Sequence, residues 1–100
     1  MTYLNQLAAE IQNAVPPNAL PDEDTSTLFL IYAVLLLAKG ASVTGKDVHD
    51  AWVAWMESKG EEHEAMVPFD ELPLSTRAED SVFVEAIRRV AREREIDPGP

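Results

Sequence analysis

The sequence predicts an all-α fold, four helices in one compact domain, and three features carry that expectation. Apolar residues recur at helical spacing in four separate segments. Proline and glycine punctuate those segments, and no period-2 alternation runs long enough for a strand. One hundred residues with 46% apolar side chains suit one globular core and leave no room for a second.

The first helix is expected over residues 2–15. Tyr3, Leu4, Leu7, Ala8, Ile11 and Ala14 mark its apolar face, and Thr2 can cap it. Pro16 and Pro17 end it, because proline lacks the N–H and pushes its predecessor out of the α region. "PPNALPDED" then reads as a stiff acidic linker. The second helix is expected over 24–39. It starts near Asp24 or Thr25, where a capping side chain and the acids Asp22 and Glu23 suit the positive helix end, and stops at Gly40. Its run "TSTLFLIYAVLLLA" is apolar on nearly every face, so the other helices are expected to wrap around it.

The third helix, over 44–59, has the clearest start. Thr44 and Asp47 resemble a capping box, Val43 can staple to Val48, and Gly60 closes the helix. Val48, Ala51, Trp52, Trp55 and Met56 form its stripe. The fourth, over 76–95, is read from a Thr76/Glu79 capping box and the stripe Phe83, Ala86, Ile87, Val90 and Ala91. Arg88, Arg89, Arg92 and Arg94 crowd its negative end. Residues 96–100 are expected to fray.

Charge and composition exclude several functions. Eighteen acids face eight bases, a net charge of −10, which disfavours direct contact with nucleic acid. The longest uncharged run is too short for a membrane span of about 20 residues, and it lies well inside the chain, unlike a signal peptide. With no cysteine there are no disulfides or thiolate metal sites, and a reducing cytoplasm fits. The four glycines are isolated, so no phosphate cradle is expected, and no G-x-S-x-G elbow is present. A metal site would need His49, His63 and a carboxylate to converge without any H-E-x-x-H spacing. No catalytic residue, metal or cofactor is expected.

The segment "HEAMVPFDELP", residues 63–73, joins the last two helices. Pro68 and Pro73 set a turn, while Val67, Phe69 and Leu72 plug it into the core. His63, flanked by Glu62 and Glu64, is expected to donate a hydrogen bond that pins the loop, with Asp80 as a candidate acceptor. Asp80 itself is expected in the first turns of the fourth helix, where a carboxylate stabilises free N–H groups.

Two blocks here resemble the ryanodine receptor repeat domain, a small helical module of those channels and of bacterial and phage proteins. "VHDAW", with His49 and Trp52, is followed by Gly60 at the matching distance. "HEAMVPFDELPLSTRAED" carries His63, Val67, Pro68, Phe69, Leu72, Arg77 and Asp80. The resemblance covers residues 48–90. It departs at Glu64, where that family has proline, and in a loop of about a dozen residues reduced here to Glu61 and Glu62. The whole chain also resembles small proteins of actinobacteria and their phages. The resemblance implies a helical fold and leaves open a nucleotide-derived ligand, held by a pocket of Trp52, His63 and Phe69.

Between residues 57 and 80 there are eight acids and two bases, a net −6 in 24 residues. Such a surface either stays solvated or steers a basic partner. The leading expectation is a small, acidic, non-catalytic interaction module, a cytoplasmic accessory protein of a bacterium or phage (in the host cytoplasm if phage-encoded). Trp55, Glu61, Glu62, Glu64, Asp70 and Glu71 are its expected contact surface. A mimic of nucleic acid, blocking a basic groove, is the remaining alternative, and a homodimer is left open.

Overall fold

In a computed structural model, which describes residues 2–96, the chain folds into four α-helices: α1 Tyr3–Ala14, α2 Ser26–Lys39, α3 Gly45–Ser58 and α4 Leu74–Glu93. Single 3₁₀ turns at Pro17–Ala19, Gly40–Ser42 and Phe69–Glu71 lie between them, and the described residues contain no strand. The radius of gyration, 13.0 Å, is what a compact domain of this length should have. No described helix is long and apolar enough to cross a membrane.

Local chemistry sets most helix ends. Thr2 caps α1 in a box with Asn5, and Thr44 caps α3 in a box with Asp47. At α2 the capping atom belongs to Asp24, whose Oδ1 accepts from the Ser26 N–H at 2.9 Å, while the Thr25 side chain makes no cap. Gly60 takes φ +70 after α3, and the Glu61 N–H reaches the Met56 carbonyl at 3.1 Å, a Schellman closure.

The end of α4 repeats that closure without glycine. Glu95 sits at φ 54, the Glu95 N–H bonds to Arg92 O, and the Ile96 N–H bonds to Ala91 O at 2.9 Å. Ile96 packs on the core, so the expected fraying does not extend to it; residues 97–100 lie outside the described residues. The beginning of α4 also differs from expectation. Pro73 precedes the first helical residue, Leu74, and its carbonyl accepts from Thr76 and Arg77. Proline's fixed φ starts the helix there, so Thr76 lies inside the first turn and is not its cap.

Four elements bury one core. Ile11 of α1, Phe29, Tyr32 and Leu36 of α2, Val48 of α3, and Ile87 and Val90 of α4 are its fully buried centre. Phe29, Tyr32 and Phe83 form an aromatic cluster with centroids 5.4–6.3 Å apart. The helix α2 packs on α1, α3 and α4, yet it is not fully enclosed, since Val34 and Leu37 stay exposed. Two polar ties reach across the fold. Arg88 Nε donates to the Val43 carbonyl at 2.9 Å, and Arg94 grips Glu10 through two side-chain nitrogens.

Candidate functional site

A cleft of roughly 1010 Å³ is walled by α2 and the linker before it, by α3, by the loop of residues 63–73 and by the first half of α4. Four ties from the neighbouring helices fix that loop. From α3, His49 Nε2–H donates to the Val67 carbonyl at 2.6 Å, which assigns the proton to that nitrogen. From α4, Arg77 donates to Leu72 O at 3.1 Å and to Asp70 O at 2.7 Å. The Arg77 guanidinium also lies over the Phe69 ring at 5.4 Å. Next to that ring is Gly45, where an added Cβ would come within 3.0 Å of Phe69 Cζ, so any larger residue would make the ring shift by a few tenths of an ångström.

The role expected of His63 therefore falls to His49. His49 is buried and pins the loop over 18 residues of sequence. His63 is exposed and accepts through Nδ1 from the Ala65 N–H at 3.0 Å, a bond within its own turn, and it does not reach Asp80. Its ring meets the edge of Trp52 at 5.4 Å, and Trp52 stacks on His49 at 5.8 Å. Leu72 is buried as expected, while Val67 and Phe69 are half-buried and Pro68 is exposed.

The expected contact surface is corrected at one position. Trp55 is only 3% exposed, with the Lys59 ammonium 3.6 Å above its ring, so it cannot anchor a partner on an open surface. Trp52, the tryptophan expected in the core, is the half-buried one of the pair. Glu61, Glu62, Glu64, Asp70 and Glu71 are exposed, and Glu61 pairs with Lys59 at 3.4 Å. Among the described residues no three His, Asp or Glu side chains gather as a metal-binding set.

Asp80 occupies a different position from the one expected. Because α4 starts at Leu74, Asp80 lies in its second turn, beyond the free N–H groups of the helix start. One carboxylate oxygen, Oδ2, is buried without a hydrogen-bond partner. Burial raises its pKa to about 6, with the charge of Glu79 adding to the rise and His49 opposing it. Tyr32 of α2 faces the same cleft and is 2% exposed; burial, and then the Asp80 charge, push its phenol upward.

The cleft's charge is one-sided. Glu23, Glu64, Glu71, Glu79 and Asp80 line it, and no Lys or Arg does. Tyr32, Trp52, Trp55 and Phe83 supply aromatic wall. Sequence reasoning found the loop acids and Trp52 but missed Glu23 and Tyr32 as parts of the site. The lone phenol within an otherwise apolar helix was the available signal for Tyr32.

Comparison with curated proteins and with solved structures finds no match. Residues 2–92 match a family described as "Domain of unknown function (DUF7701)", and the chain belongs to that family.

Proposed function

We propose that the protein is a small, non-catalytic interaction module whose acidic cleft and rim receive a basic segment of another protein. The observation that carries this reading is the lining of the cleft: five carboxylates, of which only Glu23 pairs with a cation among the described residues, beside the half-buried rings of Trp52 and Phe83. A cationic chain gains attraction from the carboxylates and stacking from the rings. A nucleotide-like ligand, the alternative suggested by the ryanodine-repeat resemblance, would bring phosphate against those same carboxylates, which costs free energy. The nucleic-acid mimic shares the acidic surface but does not use the aromatic walls. The likeness to small actinobacterial and phage proteins fits an accessory role in the bacterial cytoplasm, exerted on a protein of the cell.

Calorimetric titration with a capped peptide of alternating arginine and glycine tests the proposal. The expected result is binding that weakens with salt and weakens further when Glu61, Glu62 and Glu64 are changed together to lysine. Equal binding of a glutamate–glycine peptide, or no binding of the basic peptide, would overturn it.

A further inference from the structure

Three polar groups on three helices line the cleft. Asp80 Oδ2 on α4 is buried and has no partner. His49 on α3 spends Nε2 on the Val67 carbonyl, which leaves Nδ1 as the ring's remaining nitrogen. Tyr32 on α2 is almost fully buried and faces the same cleft. The three are neighbours electrically: the Asp80 charge acts on the Tyr32 phenol, and His49 acts on Asp80. Buried polar atoms are nearly always paired, so the unpartnered Asp80 Oδ2 in a cleft points to a ligand that pairs it.

The set is rich in acceptors, and that selects the ligand. A carboxylate only accepts, while a phenol both donates and accepts. A guanidinium offers five N–H donors and no acceptor, in a plane that stacks on aromatic rings. Trp52 and Phe83 supply such rings on the cleft wall. The chain's own cations do not fill the role. Arg77 is committed to the Asp70 and Leu72 carbonyls, and Lys59 to Glu23 and Glu61. Lys59 displays the same recognition at the rim, its ammonium over Trp55 at 3.6 Å and 3.2 Å from the Glu23 carboxylate.

We infer that the floor of this cleft is a receptor for one arginine side chain of the basic partner, with Tyr32, His49 and Asp80 as its polar contacts. The inference rests on the interaction-module reading and adds the residue that is recognised. The carboxylate supplies the counter-charge, the phenol fixes the guanidinium's orientation, and Trp52 covers its face. Lysine, with a rounder and more strongly hydrated head, fits the same charge but not the planar set of acceptors.

The test compares capped peptides carrying one arginine among glycines with their lysine and citrulline counterparts, followed by NMR of the Tyr32, His49 and Trp52 rings. Citrulline keeps the shape and removes the charge. Arginine is expected to bind roughly tenfold or more tightly than citrulline and more tightly than lysine, with all three rings shifting. Asp80→Asn is expected to remove that preference while its folded spectrum persists, and Glu57→Gln, at an exposed acid outside the cleft, to keep it. Equal affinity for arginine and citrulline, or an unchanged preference in Asp80→Asn, overturns the inference. If the arginine–glycine polymer still binds in a salt-dependent way, the module reading survives that result. If no basic peptide binds, both fall.

Discussion

At the scale of single residues, Asp80 is the group whose placement works against the fold. Its carboxylate is half-buried, one oxygen lacks a partner, and burial raises its pKa from 3.8 to about 6. The protonated form suits the folded state better than the charged form does. Its contribution to stability is therefore fully present below pH 3.8 and lost as pH rises to about 6. Asp80→Asn does not titrate, so it should gain on the wild type across that window. The gain should reach on the order of 1 kcal/mol at neutral pH once solvent screening of a half-exposed group is allowed for. Thermal melts of both proteins from pH 4 to 7 check this, and parallel curves would contradict it. A residue that costs stability and faces a cleft is the pattern expected where binding, rather than packing, has set the side chain.

The residue scale is also where the sequence was least legible. Periodicity placed Trp52 and Trp55 on one stripe but could not tell which edge lies deeper, and the assignments came out reversed. That His49 and not His63 pins the loop was hidden for a related reason, since the bond spans 18 residues and leaves no local trace. The exposed acids Glu61, Glu62, Glu64, Asp70 and Glu71 were legible, because charges crowded into a proline-bounded loop have little access to the core.

At the scale of elements, helix ends that depend on neighbouring residues were legible and those with competing signals were not. The Thr44–Asp47 box and Gly60 bound α3 as read, since each acts through bonds to its own turn. At α4 the Thr76/Glu79 pattern competed with Pro73, and the proline's fixed φ prevailed. The other end of α4 closes on Glu95 in the left-handed region, where a side chain is strained and glycine is not. Glu95→Gly should therefore stabilise the protein by about 0.5–1 kcal/mol, read as a higher denaturant midpoint with unchanged slope. A lower midpoint would show that the Glu95 side chain contributes more than its backbone strain costs.

At the scale of the whole molecule, the four helices serve to hold one loop in place. The ties from His49 and Arg77, and the seat of Phe69 against Gly45, fix residues 63–73 onto α3 and α4. The all-α architecture was legible from periodicity and punctuation, whereas the cleft was not, because it exists only between elements distant in sequence. Its acids converge from the linker before α2, the loop and α4, so their sum appears only in the folded chain.

The central claim, that this cleft takes a basic segment, is tested most directly by mapping amide and ring shifts as the arginine–glycine peptide is added. The account predicts that saturable shifts gather on Tyr32, His49, Trp52, Asp80 and the loop of residues 63–73. Shifts spread evenly over the acidic surface, or gathered on the exposed face of α2 around Val34 and Leu37, would contradict it.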